Sequence, residues 1–151
     1  MRGSTIPAAP RATWPLIPPL PTYGRGRDHE GPRYTSFLHG EHLENITIRG
    51  KGESSVIDGV GRPWWDEKAA LNYTRGHLIE FMYCTRIRMY HMLLQNSPYW
   101  TNHFYDCDDV HVHHVTVDNR TYCGSCNDLI SIFLVLVAPT CAFLPSKLQI
   151  L

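Results

Sequence analysis

The sequence predicts an all-β fold, a parallel β-helix (solenoid) of about three coils, and three observations carry that reading. First, the stretch Phe81 to Asn119 repeats itself at an offset of 23 residues: Phe81 falls on Phe104, Cys84 on Cys107, His91 on His114 and Asn96 on Asn119. Ile87, Met89, Met92 and Leu94 meanwhile fall on Val110, Val112, Val115 and Val117. Second, apolar residues alternate in both copies, slip by three from 89 to 92 and from 112 to 115, and then resume; alternation is the strand period and the slip is a corner. Third, the units are built of Val, Ile, Thr and His, without the leucines and helical half of a leucine-rich repeat. Each unit is then one coil, stacked about 4.8 Å from the next.

The elements follow in order. Residues 1–33 hold seven of the eleven prolines and the arginines Arg2, Arg11, Arg25, Arg27 and Arg33. With no sustained periodicity, this Pro/Arg-rich segment is expected to be extended or disordered unless it drapes over the core. Coils occupy 34–119. Tyr34 to Leu38 reads as a first short strand, and Leu43 to Ile48 aligns with the later units at an offset of 41, which is 23 plus an 18-residue insertion. That insertion is placed as a loop around Gly59 to Gly76, carrying Trp64 and Trp65. Loops that project from a solenoid form its binding walls, so the indoles are assigned as candidate sugar-stacking residues; capping the open end of the stack is the competing role. His77 to Met82 begins the regular coils.

Stacking gives the identities a physical meaning. Asn96 over Asn119 is expected to form an amide ladder. Cys84 over Cys107 lies within nominal disulfide reach, but the expected state is a packed thiol ladder. Near Arg120 the pattern stops. Residues 120–151 form an apolar tail out of register with the coils, and Leu129 to Val137 is continuously apolar except for Ser131, yet shorter than the roughly 20 residues a spanning helix needs.

Zero formal net charge gives no reason to expect a nucleic-acid or membrane partner, and a monomer is the expected state. Five irregularly spaced cysteines fit neither a zinc site nor a disulfide scaffold, and Cys123-Gly124-Ser125-Cys126 has no second pair. Asn45, Asn72 and Asn119 head glycosylation sequons, although the N-terminus lacks a charged segment followed by an apolar one, so no signal peptide is expected in this chain. Asp106, Asp108 and Asp109 are assigned to the turn into a strand, not to catalysis. His111, His113 and His114 are assigned to an outward strand face. No metal and no cofactor is expected.

Trp14 to Asp28, then Val56-Ile57-Asp58-Gly59-Val60-Gly61 with Trp64-Trp65, then Asn96-Ser97-Pro98-Tyr99-Trp100-Thr101-Asn102-His103 together resemble the plant polygalacturonase-like branch of glycoside hydrolase family 28. That resemblance implies a right-handed parallel β-helix that hydrolyses the α-1,4 bonds of polygalacturonic acid in pectin and is secreted to the cell wall. It also implies inverting chemistry, with one aspartic acid protonating the leaving oxygen and a second carboxylate activating water. The family's Asn-Thr-Asp-Gly, Gly-Asp-Asp, Gly-His-Gly and Arg-Ile-Lys motifs are absent from these 151 residues. The expectation is therefore a fold truncated to about three N-terminal coils, with no catalytic residue and with Trp64 and Trp65 as substrate-binding candidates. A non-catalytic pectin-binding or interaction protein is the alternative.

Overall fold

The structure is a computed structural model that describes residues 4–8, 10–19 and 28–119. Its strands run in chain order β1 (Ser4–Pro7), β2 (Leu16–Ile17), β3 (Arg33–Tyr34), β4 (Leu38–Glu41), β5 (Glu44–Arg49), β6 (Ser55–Asp58), β7 (Ile79–Met82), β8 (Thr85–Gln95), β9 (Asn102–Tyr105) and β10 (Asp108–Asp118), with one short helix, α1 (Arg62–Asp66), between β6 and β7. The apolar run 129–137 and the 123–126 cysteine pair fall outside the described residues.

Two parallel sheets face each other across the core. One is β4–β7–β9; in the other β8 pairs with β5 and β6 on one side and β10 on the other. Three coils result: β4 to β6, β7 with β8, and β9 with β10. The register carries the offsets read from the sequence, pairing Phe81 with Phe104 and Met89 with Val112 at 23 residues, and Ile46 with Ile87 and Ile48 with Met89 at 41.

The insertion is split. At β6 the offset to β8 is 37, as in Ile57 with Leu94, so four of the eighteen extra residues lie between Arg49 and Ser55 and the other fourteen follow Asp58. Two places therefore leave the coil path, where the sequence pattern suggested one.

Interior rows stack along the axis. Ile57, Leu94 and Val117 form one, and Gly40, Phe81 and Phe104 another, the two rings 6.2 Å apart and tilted by 16°. Ile79, Ile87, Met89, Leu94 and Phe104 are fully buried. Each such side chain contributes roughly 1.5–3 kcal/mol through loss of contact with water.

Corners are made by residues with positive φ. They recur at the coil offsets: His42, Tyr83 and Asp106; Asn45, Arg86 and Asp109; His91 and His114. Gly50 stands at the His91 corner position in the first coil, where a Cβ would overlap the His91 carbonyl of the coil above.

The described parts of the N-terminal segment lie on the coils. β1 pairs in parallel with β6, and β2 pairs antiparallel with β3. Trp14 is buried against Trp64 (ring centroids 4.9 Å) and near Phe37 (6.3 Å), so the segment is held by an aromatic cluster that its own proline content does not predict.

The amide ladder takes a different form from the one expected. Asn96 Nδ2 donates to Asp58 Oδ1 (3.0 Å), while Asn119 accepts from the Ser97 amide (2.9 Å) and donates to Thr101 Oγ1 (2.8 Å). Asp58 is the stronger acceptor because it is charged, and it draws Asn96 toward the first coil. Cys84 and Cys107 are buried free thiols, as expected.

Candidate functional site

Helix α1 places its two indoles on opposite sides. Trp64 points inward, 2% exposed, with Trp14 and Tyr34 meeting its ring edge-on at 4.9 and 5.0 Å. Trp65 is 37% exposed, and its Nε1 donates to the Ser97 carbonyl at 2.9 Å. Adjacent residues on a helix diverge by about 100°, so one Trp fills the cap and the other reaches the surface.

Beneath Trp65 lies Arg75, whose guanidinium carbon sits 4.1 Å from the Trp65 ring centroid and 4.6 Å from that of Tyr99. Arg75 is almost fully buried and also donates to both Asp28 carboxylate oxygens (2.8 and 3.3 Å) and to the Pro98 carbonyl (2.9 Å). Burial alone would raise the Asp28 carboxyl, but the Arg75 hydrogen bonds and charge outweigh it and hold Asp28 below its usual range. Tyr99 is pushed up to about 12 by burial and by the nearby Asp28 charge. The result locks three loops together under the exposed indole.

Trp65 forms one wall of a groove of about 550 Å³, lined also by Asp28, His29, Asp66, Lys68 and Ala69. Lys68 Nζ lies 3.7 Å from Asp28 and remains half exposed, so a cation and an indole line the same groove, together with the Asp28 and Asp66 carboxylates. Such a pairing suits an acidic sugar: the ring takes the apolar C–H face and the ammonium takes the carboxylate.

A second polar feature lies on the outer face of the β4–β7–β9 sheet. His39, Glu80 and His103 are register partners, and Glu80 bridges them: Oε2 lies 2.9 Å from His39 Nδ1 and Oε1 lies 2.8 Å from His103 Nδ1. Arg33 Nη2 (2.8 Å) and Ser36 Oγ (3.1 Å) also donate to Glu80 Oε2. Burial would raise Glu80, yet the hydrogen bonds from His103 and His39 and the charge of Arg33 hold it far below the usual carboxylate range. His77 is held well below its ordinary value by complete burial, whereas the Glu80 hydrogen bond raises His39.

His77, Glu80 and His103 bring ligand-type atoms within 4.8 Å of one another. A divalent ion there would sit beside the buried Arg33 guanidinium and compete for oxygens that already accept hydrogen bonds, so the geometry is that of an ionic network. The sequence held the signal for this row. Positions 39, 80 and 103 are separated by 41 and then 23, the coil offsets, but identity matching passes over a row made of His, Glu and His.

The remaining candidates sit apart. Asp106 and Asp109 are positive-φ corner residues, and Asp109 is paired with Arg88 (2.7 Å) and His111 (3.0 Å). His111 and His113 lie on the outer face of β10, exposed. Among the described residues no helix is long and apolar enough to cross a membrane.

Comparison with known proteins gives two positive findings. A "Probable polygalacturonase" of Vitis vinifera is 46% identical over 92 residues, which is 60% of this chain and 18% of that protein. The chain thus spans less than a fifth of the curated relative it matches. No solved structure matches it. The family model described as Glycosyl hydrolases family 28 matches residues 22–128, the stretch that contains all three coils, and the chain belongs to that family.

Proposed function

We propose that this chain is a coil segment of a polygalacturonase-like protein, that its ligand is pectic polysaccharide of the extracellular cell wall, and that it works as a single chain. The observation that carries the reading is the coincidence of two extents: the family match over 22–128 encloses the coil register, which runs from Leu38 to Asp118. A polygalacturonate chain is a polyanion of regularly spaced sugar rings. Inverting hydrolysis of such a polymer needs two carboxyl groups roughly 6.5–9.5 Å apart, one to protonate the leaving oxygen and one to activate water.

Among the described residues the buried carboxylate of the coil stack is Glu80, enclosed by Arg33, Ser36, His39 and His103, while Asp106 and Asp109 are corner residues and Asp109 is paired with Arg88 and His111. The chain's own part is therefore to hold the polymer without cleaving it. Trp65, with Lys68 beside it, is the binding residue in this reading; Trp64 supports it from the interior. Purified full chain is to be titrated with oligogalacturonides and assayed for reducing-end release. Saturable binding without release is the expected result. Release of reducing ends overturns the non-catalytic role, and absence of both overturns the pectic ligand.

A further inference from the structure

Three asparagines head Asn-x-Thr sequons, Asn45-Ile46-Thr47, Asn72-Tyr73-Thr74 and Asn119-Arg120-Thr121, and the fold treats their side chains differently. Asn45 is an exposed corner residue with φ 58°, in the row it shares with Arg86 and Asp109. Its Oδ1 accepts from Arg86 Nε at 2.7 Å, and Arg86 Nη2 reaches Glu44 at 2.8 Å. The oxygen side of the amide is thus anchored, while Nδ2 makes no hydrogen bond among the described residues. Thr47, two residues on, is exposed. The corner accepts Arg86 and Asp109 in the later coils, so backbone geometry alone does not account for an asparagine here.

Asn72 stands in the loop between α1 and β7, and the chain is fastened on either side of it. Leu71 is buried with Trp14 and Trp64, and the buried Thr74 donates through Oγ1 to the His29 carbonyl and accepts from the His29 amide, both at 2.9 Å. Tyr73 meets Tyr34 edge-on at 6.0 Å. Asn72 itself is exposed, and its side chain makes no hydrogen bond among the described residues.

Asn119 contrasts with both. It is half-buried, Oδ1 accepts from the Ser97 amide at 2.9 Å, and Nδ2 donates to Oγ1 of the fully buried Thr101 at 2.8 Å. Both ends of that amide hold the connection between β8 and β9, and a sugar on Nδ2 would crowd the donor that faces Thr101.

We propose that Asn45 and Asn72 are N-glycan acceptors, whereas Asn119 is a structural asparagine that stays bare in the folded chain; the proposal rests on the extracellular reading above. In the transfer, Nδ2 forms a bond to C1 of the sugar of a lipid-linked diphosphate oligosaccharide. The bond from C1 to the phosphate oxygen breaks, the lipid diphosphate leaves with the electron pair, and Nδ2 gives up one proton. At Asn45 the glycan departs from nitrogen, so Oδ1 keeps Arg86. Asn45 also lies near the start of β5, whose edge away from β8 is unpaired among the described residues. Ile46 and Ile48 are only partly buried there, while Ile87 and Met89 on the next coil are fully so. An open edge of that kind is a template for pairing with another chain, and a bulky hydrophilic group beside it obstructs that pairing.

The test is translation of the full chain behind a cleavable secretion signal with endoplasmic-reticulum microsomes, followed by peptide mapping in which an amidase converts each glycan-bearing Asn to Asp in heavy-oxygen water. Protease protection selects the translocated chain. Because the signal is supplied, the result stands apart from the oligogalacturonide titration that judges the pectic reading. Expected are glycans at Asn45 and Asn72, and none at Asn119 in the fraction that resists limited proteolysis after detergent release. Thr47→Val should remove the first glycan alone and Asn72→Gln the second alone; transfer precedes folding, so a variant that folds poorly still reports. Asn119→Gln should leave the number of glycans unchanged. Translocated chain that is bare at Asn45 or at Asn72 overturns that acceptor, and a glycan on Asn119 in the resistant fraction overturns its structural assignment.

Discussion

Glu80 and His103 are register partners on adjacent coils, and the 2.8 Å contact between Glu80 Oε1 and His103 Nδ1 joins them under the N-terminal segment. With Arg33 on the other oxygen, one carboxylate ties the segment to the second and third coils. Glu80→Ala is expected to destabilise the fold by about 3–5 kcal/mol, since it removes one member of a buried ion pair. Urea unfolding measures this. Arg33→Met combined with Glu80→Gln should recover part of the loss, because it removes both charges together.

Stability should respond to pH through the imidazoles that face Glu80. The pKa of His39 is raised above 6.5 by its Glu80 bond, so its contribution is fully present below 6.5 and is lost as pH rises through the raised folded value. His77 acts in the opposite sense: burial lowers it, so acidification below 6.5 protonates the unfolded chain first and weakens the fold. Glu80, held far below 4.5, stabilises above 4.5, and that contribution is lost only as pH falls through its lowered value. His39→Gln should therefore destabilise more at about pH 5.5 than at about pH 8.5. Thermal melts at the two pH values check this, and an equal effect at both would exclude the His39–Glu80 charge pair as the cause.

The two indoles should separate on substitution. Trp64→Ala empties the middle of the Trp14–Tyr34 cluster and is expected to cost about 3–5 kcal/mol. Trp65→Ala removes one hydrogen bond and one cation–π contact, about 1–2 kcal/mol, while abolishing oligogalacturonide binding. Calorimetric titration beside unfolding curves distinguishes the roles.

Cys84 and Cys107 should be inert while the chain is folded. Cys107 is pushed up to about 11 by burial, so little thiolate exists at neutral pH. Iodoacetamide should label neither cysteine without denaturant, and mass spectrometry of peptides containing them provides the readout.

The coils were legible because apolar residues recur at 23 and 41 in identical or similar form, and stacking demands such likeness in the interior. The outer row of His39, Glu80 and His103 uses the same spacing but pairs unlike charges, so likeness was the wrong filter there. For the asparagines, the offset predicted Asn96 over Asn119 correctly, but it carried no information about Asp58, a stronger acceptor within reach. The depth of Trp64 relative to Trp65 depended on how α1 is rotated, which two adjacent indoles leave open.

The stacked positive-φ corners bear on how such a molecule tolerates change in length. Each non-glycine corner is strained by about 1–2 kcal/mol, and the strain is offset only when the layer between corners is filled. Half a coil would carry the bends without the layer. Winding is therefore quantised in whole turns, so deletion of one complete 23-residue period should leave a shorter helix of the same kind, whereas removal of ten or twelve residues within a turn should unravel it to the next corner. The insertions at 50–54 and after Asp58 obey the same rule, since each leaves the coil path at a corner and returns there without altering the rows inside.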